Sequence, residues 1–459
     1  MEPLTIGILG MIGLAIMIVM GMRVVYATSL IGLLGLVAIF EAKPGIELAK
    51  AWAIGSGMLG TIPHSKAITL SLSVLPMFIL TGFLAFHAGI TTAVFEAARR
   101  WIGWVPGGLA VASVFATAGF AAVSGASTST SAVFAHIAIP EMLKAGYDRK
   151  LAAGVVAAGG TLASLIPPSA ILVIYAIIVE QSVGQLLLAG FIPGAFSALV
   201  YAGLIIFRAM ANPEIGRPIK GFTWMERFQT VPGTLPIILV IMIILGGIYS
   251  GLATPTEAGA LGAFVVFSIA LMRGMRWAQL SEALLETAKL TVMIFSIIWG
   301  VFVFVRFLGF ARLPEAFTGW IVSLPMDPLL IMICILLAYA VLGMFMDAIG
   351  MLLLTLPVVY PAVMALNGGE TVAAADSAFG MSGTMCAIWF GILVVKMAEF
   401  CLITPPIGLN CFVVAGVRPD LSVQDVFRGV TPFFVADAVT IALLVAFPGI
   451  VLYLPSLAG

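Results

Sequence analysis

Apolar runs long enough to cross a bilayer follow one another almost without interruption from residue 4 to residue 454. Each spanning helix needs roughly 20 such residues. In lipid the backbone can be satisfied only within helices or a closed barrel, and the sequence lacks the short alternating segments of a barrel. The chain therefore predicts an all-α polytopic membrane protein in contact with the lipid bilayer. Composition agrees: hydrophobic residues make up 62% and charged residues 9%, against about 25% charged in soluble domains. A soluble globular chain and a disordered one are both excluded. Lys plus Arg and Asp plus Glu number 21 each, so no excess positive charge attracts a nucleic acid.

Cys334, Cys386, Cys401 and Cys411 lie in apolar stretches, without a CxxC pair or histidines at zinc spacing, which predicts neither disulfides nor a zinc site. His64, His87 and His136 form no spacing pattern and read as structural. The N-terminus has no basic n-region, so residues 4–22 read as a first span rather than a signal peptide.

The apolar segments read as 4–22, 24–40, 75–98, 105–123, 131–142, 151–166, 170–179, 185–207, 232–249, 256–272, 290–310, 329–346, 351–366, 381–403, 407–417 and 433–454. Those at 131–142, 151–166, 170–179, 351–366 and 407–417 are too short to span. Beside Gly/Ser-rich or Pro-Pro breaks, such pieces read as arms of re-entrant hairpins or halves of discontinuous helices, tolerated at membrane depth only where buried in protein or lining a cavity.

Loop charge sets an orientation. Fifteen loop cations fall inside (Arg23, Arg99, Arg100, Lys144, Arg149, Lys150, Arg208, Arg217, Lys220, Arg227, Arg273, Arg276, Lys289, Arg418 and Arg428) and four outside (Lys43, Lys50, Lys66 and Arg312). Residues 105–142 then form a hairpin entering from the cytoplasm with its tip near 124–131. Residues 329–366 form one entering from outside with its tip near 346–350. Each is preceded by two spans, an amphipathic arm (41–66 and 277–289) and a third span, and followed by a helix broken at a proline pair, Pro167-Pro168 or Pro405-Pro406. This is an inverted-topology repeat with two re-entrant hairpins and two Pro-Pro-broken helices. Secondary transporters use such repeats and place substrate and ion sites at the breaks. No GxxxxGK[ST] motif supports ATP coupling, and neither HExxH nor GxSxG supports an intramembrane enzyme. No catalytic residue is assigned.

Chemistry concentrates at the breaks. The first tip, residues 123–131, carries six hydroxyls: Ser124, Ser127, Thr128, Ser129, Thr130 and Ser131. Hydroxyls and carbonyls there can replace a cation's hydration, and the outgoing helix N-terminus can face an anion; the plainer reading is a small-residue helix contact. At the second tip Asp347 either balances a cation or caps the following half-helix. The proline pairs free carbonyls at 163–166 and 401–404, with Ser169 and Asn410 expected in the first turn of the outgoing half-helix, although a kink with nothing bound would look the same. Thr254-Pro255-Thr256-Glu257 reads as a capping box. Lys396 and Glu399 can pair on one helix face, and Arg306 and Asp437 can pair with each other or with a neighbouring helix.

These motifs together resemble a known family. The segments are Ser124-Gly125-Ala126-Ser127, Ile139-Pro140-Glu141-Met142, Gly146-Tyr147-Asp148, Ile166-Pro167-Pro168-Ser169 and Gly190-Phe191-Ile192-Pro193-Gly194. Thr254-Pro255-Thr256-Glu257-Ala258-Gly259, Met346-Asp347 and Leu402 through Asn410 complete them. The chain is similar over nearly its whole length to the large membrane (M) subunit of TRAP (tripartite ATP-independent periplasmic) transporters. The resemblance implies a sodium-coupled, elevator-type importer of a small organic anion, a carboxylate or sulfonate, across the bacterial inner membrane. It implies as partners a separate small four-helix membrane subunit and a periplasmic substrate-binding protein, and no cofactor beyond coupling sodium ions.

Carried onto this sequence, the resemblance implies sodium ligands at Ser124, Gly125, Ser127, Ala163, Ile166 and Pro168, and at Gly343, Asp347, Cys401, Thr404 and Ile407, with no other metal. Ala163 and Cys401 stand where glycine is common; a carbonyl ligand survives that change. Ser127, Thr128, Ser169 and Asn410 would hold the substrate. The expected parts are 1–98 (scaffold and arm), 99–183 (first transport part), 184–311 (linking span and second scaffold), 312–428 (second transport part) and 429–459 (last span). A stand-alone ion- or proton-coupled organic-anion transporter is the alternative.

Overall fold

The computed structural model describes every residue except 68–69, 220 and 459, so Lys220 of the inside charge tally lies outside the described residues. Among the described residues the secondary structure is entirely helical. Eight helices are long and apolar enough to cross a membrane, nine if one bent pair is counted as a span. The chain divides into two compact units, one of residues 1–72, 177–181 and 289–387, the other of 73–176, 182–288 and 388–459.

The first unit contains helices Pro3–Val19, Val24–Glu41 and Leu48–Ala67, the later part of Trp277–Phe310, then Leu313–Val322, Pro328–Gly343 and Ala348–Asn367. Small residues let its helices approach closely, as membrane helix contacts require. Gly32 lies where a Cβ would come 2.9 Å from the Phe304 amide nitrogen, and Gly10 and Gly35 receive the Phe307 ring. The expected hairpin forms between Pro328–Gly343 and Ala348–Asn367, which begin at caps from Asp327 and Asp347 respectively. A bond of 2.7 Å from Thr355 Oγ1 to the Tyr339 hydroxyl ties its arms together.

The second unit is built around the inner part of Gly383–Ile403, where every residue from 388 to 399 is buried. Val183–Ala211 meets it where Gly391 faces Leu186, and Val423–Ala446 where Trp389 Nε1 donates to the Leu444 carbonyl at 3.0 Å. Arg149–Thr161 and Val423–Ala446 meet at two glycines: a Cβ on Gly154 would strike the Gly429 carbonyl, and one on Gly429 the Lys150 carbonyl. The hairpin Gly108–Ser124 with Ser127–Lys144 turns at residues 125–126. Both proline pairs interrupt their helices as expected, and each is joined by a cis peptide bond. Thr254 and Glu257 make the predicted capping box.

Three segments differ from the sequence reading. Residues 75–98 are not one straight span: Val74–His87 and Ile90–Ile102 are bent by 69°. Gly89 adopts a positive φ at the corner, and the second helix is amphipathic, with Glu96, Arg99 and Arg100 paired along one side. The second arm and the following span are one continuous helix, Trp277–Phe310. The last apolar stretch is divided at Pro448 into Val423–Ala446 and Gly449–Ala458.

The glycine crossing yields a prediction. Gly429→Leu should destabilise the protein by about 1–3 kcal/mol through overpacking, seen as a lower thermal unfolding midpoint in detergent. Gly203→Leu, where no atom lies within 4 Å, should leave the midpoint unchanged. Equal midpoints for both variants would contradict the packing described.

Candidate functional site

In the second unit the first hairpin tip docks directly on the first helix break. Gly125 has φ +58°, and its carbonyl accepts from the Ala170 amide at 3.3 Å. A Cβ at Gly125 would run into the Pro168 carbonyl, so only glycine satisfies both the left-handed backbone and the close approach. Ser124, 4% exposed, shares a hydrogen bond of 2.9 Å with Thr130 across the turn.

The break itself follows from the prolines, which remove amide donors and end the helix at Arg149–Thr161 plus the 3-10 turn Leu162–Ser164. Ser169 repairs part of the loss. Its hydroxyl donates to the Ser164 carbonyl and accepts from the Leu172 amide at 3.2 Å, capping the outgoing helix Ala170–Ile178. Ser169 thus stands just before that helix rather than in its first turn. Ala163, Ile166 and Pro168 are buried beside it. Gly190 and Gly194 of Val183–Ala211 press against Leu165 and Ile166 from the other side.

The second break is held similarly. The Thr404 hydroxyl turns back to the Phe400 carbonyl at 2.6 Å, and the Thr404 amide donates to the Cys401 carbonyl at 3.2 Å. Beyond Gly408 the short helix Leu409–Val417 carries Asn410 inward. The Asn410 amide nitrogen donates to Ser127 Oγ at 2.9 Å and to the Ala157 carbonyl at 3.2 Å. Its oxygen has no hydrogen-bond partner among the described residues, nor do the Ser131 and Ser164 hydroxyls. A buried polar atom without a partner carries a desolvation penalty of about 1–3 kcal/mol.

Of the residues singled out, the structure brings Ser124, Gly125, Ser127, Ala163, Ile166, Pro168, Ser169 and Asn410 into one unit, with Ser127 hydrogen-bonded to Asn410. Thr128 follows at the tip and is half-buried. Thr404 and Cys401 are buried in the same unit, while Ile407 is 38% exposed. Gly343 and Asp347 belong to the other unit. There Asp347 caps its helix, accepting from the Gly350 amide at 3.0 Å.

A neighbouring feature was only half visible in the sequence. Lys396 pairs with Glu399 at 2.6 Å, as spacing suggested, but also with Asp437 at 2.7 Å, and all three side chains are fully buried. Asp437 therefore has Lys396 as its cation rather than Arg306, and it also accepts from the Tyr201 hydroxyl at 2.7 Å.

Residues 11–450 match the family described as tripartite ATP-independent periplasmic transporter, DctM component. Among relatives, the C4-dicarboxylate TRAP transporter large permease protein DctM of Pseudomonas aeruginosa is 32% identical over 391 residues, 85% of this chain and 87% of that one. The sialic acid TRAP transporter large permease protein SiaM of Vibrio cholerae is 29% identical over 412 residues, covering 87% of this chain and 88% of that one. Among solved structures, the YdaH transporter of Alcanivorax borkumensis shares the fold, with a TM-score of 0.58 at 14% identity over 93% of this chain and 98% of that one.

The docked tip gives a prediction. Gly125→Ala should cost at least about 1–2 kcal/mol from its left-handed backbone alone, and more from the carbonyl clash, lowering the thermal midpoint. Gly119→Ala, whose Cβ would meet only Val94 at 3.5 Å, serves as control. A Gly125→Ala protein that melts with the wild type would refute the docking.

Proposed function

The chain belongs to the DctM-component family of tripartite ATP-independent periplasmic transporters, a multi-pass inner-membrane family, and from that premise we propose that it imports a small organic anion driven by sodium. The observation that carries the reading is the meeting of the hydroxyl-rich tip with a broken helix in one buried place. Ser124 and Ser127 hydroxyls with backbone carbonyls at Gly125, Ala163, Ile166 and Pro168 form a neutral oxygen-rich set of the kind that replaces the hydration of a small monovalent cation. Further sodium ligands are proposed within each unit by itself: the Cys401, Thr404 and Ile407 carbonyls at the second break, and Gly343 and Asp347 at the tip of the other hairpin.

The anion is held next to the first set. The Ser127 and Thr128 hydroxyls and the Ser169-capped helix N-terminus offer donors, while Asn410, whose amide nitrogen is engaged by Ser127 and Ala157, holds Ser127 in place for the substrate. Because Ser127 serves both ion and anion, occupancy of one stabilises the other. Each net positive charge carried inward gains about 2.3 kcal/mol per 100 mV, so a monovalent anion moving with two or more sodium ions, or a divalent one with three or more, is driven into the cell. Substrate delivery falls to a periplasmic binding protein and the membrane complex includes a small four-helix subunit, with elevator movement of the site as the means of alternating access. The relatives named above carry a dicarboxylate and a sialic acid by their descriptions, which supports a carboxylate for this chain.

Uptake into proteoliposomes should require sodium and the cognate binding protein together; equal uptake with potassium would contradict the coupling, and uptake without the binding protein would favour a stand-alone carrier. Ser124→Ala and Ser127→Ala should each raise the half-saturating sodium concentration about tenfold, the worth of one hydrogen-bond-strength ligand to a charge. Ser129→Ala should not.

A further inference from the structure

Lys396, Glu399, Asp437 and Tyr201 have no task in the transport reading, yet they meet at the centre of the second unit. Lys396 Nζ lies 2.6 Å from Glu399 Oε2 and 2.7 Å from Asp437 Oδ1, and it sits 5.5 Å from the centre of the Tyr201 ring. One ammonium thus faces two carboxylates. Among the described residues no second cation pairs with either carboxylate, and Glu399 Oε1 and Asp437 Oδ2 have no hydrogen-bond partner. With both carboxylates ionised the cluster holds one negative charge more than it neutralises, in an interior where uncompensated charge is strongly disfavoured.

Its position identifies what completes it. Glu399 lies one helical turn before Ile403, so its charge is about 6 Å along the axis from the carbonyls opened at Thr404-Pro405-Pro406. On the other side Asp437 lies on Val423–Ala446, which crosses Arg149–Thr161, the helix that leads to the first break, at Gly154 and Gly429. The cluster is thus carried by the incoming helix of the second break and by a helix packed on the incoming helix of the first. The ligands those breaks offer, carbonyls and hydroxyls, carry no charge themselves.

Building on the sodium reading above, we propose that the Lys396–Glu399–Asp437 cluster supplies the negative charge that balances sodium at the helix breaks. Glu399 and Asp437 act on sodium affinity without touching the ion, and Tyr201 fixes the Asp437 carboxylate in place. A unit charge about 6–10 Å from a cation, at an effective dielectric constant near 20, changes cation affinity by on the order of tenfold or more.

The test is sodium-dependent thermal stabilisation of the full-length chain in lipid nanodiscs, with potassium as control and radioactive sodium binding as a second readout. Glu399→Gln and Asp437→Asn should each raise the half-saturating sodium concentration about tenfold, by similar factors although they lie on different helices. Combining Lys396→Gln with Glu399→Gln leaves Asp437 as the single excess charge and should return sodium affinity toward the wild-type value. Packing damage alone predicts the reverse order, with the double variant weakest, and that order would overturn the proposal. So would unchanged sodium dependence in folded Glu399→Gln and Asp437→Asn, or failure of all three variants to fold, since charge balance tolerates an isosteric neutral residue. A wild-type protein that sodium does not stabilise above potassium would instead remove the sodium reading on which the proposal rests.

Discussion

A backbone amide or carbonyl in the hydrocarbon of a membrane has to find its partner inside the protein. At Pro167-Pro168 and Pro405-Pro406 this chain gives up the helical partners in the middle of its second unit, and much of that unit's construction answers the loss. Ser169 reaches back to the Ser164 carbonyl, and Thr404 to the Phe400 carbonyl. At the first tip the Gly125 carbonyl accepts from the Ala170 amide. Small residues at Gly190 and Gly194 bring a long helix against the first break. Among the described residues these contacts leave the side-chain oxygens of Ser131, Ser164 and Asn410 without a hydrogen-bond partner.

The same economy governs charge. On the sodium reading proposed above, the breaks offer neutral ligands while the charges of Lys396, Glu399 and Asp437 are gathered a turn away. Such a separation of ligand shell from counter-charge would let an ion enter and leave without breaking a salt bridge. In the other unit the Asp347 carboxylate caps its helix by accepting from the Gly350 amide.

Much of this was legible in the sequence because it is written in short-range patterns. Span positions follow from hydropathy, both hairpin tips from a polar break between apolar arms, and the discontinuous helices from Pro-Pro. The capping box at Thr254 and Glu257 and the Lys396–Glu399 pair follow from spacing of three. The bend at Gly89 was missed because 75–98 reads as apolar throughout, although Glu96, Arg99 and Arg100 at helical spacing marked an interfacial face. Long-range pairings left no local trace: Asn410 meets Ser127 across 283 positions, and Tyr201 meets Asp437 across 236. Ser127, Asn410 and Asp437 each stand out singly in the sequence, but no local pattern names their partners.

Hydrogen exchange of the full-length chain in nanodiscs, compared in sodium and in potassium, tests the central claim most directly. Binding of the ion by backbone carbonyls at the two breaks predicts sodium-specific protection of peptides covering residues 121–131, 162–172 and 401–412, with no change in 231–272. Identical exchange in the two salts, or protection spread evenly along the chain, would contradict it.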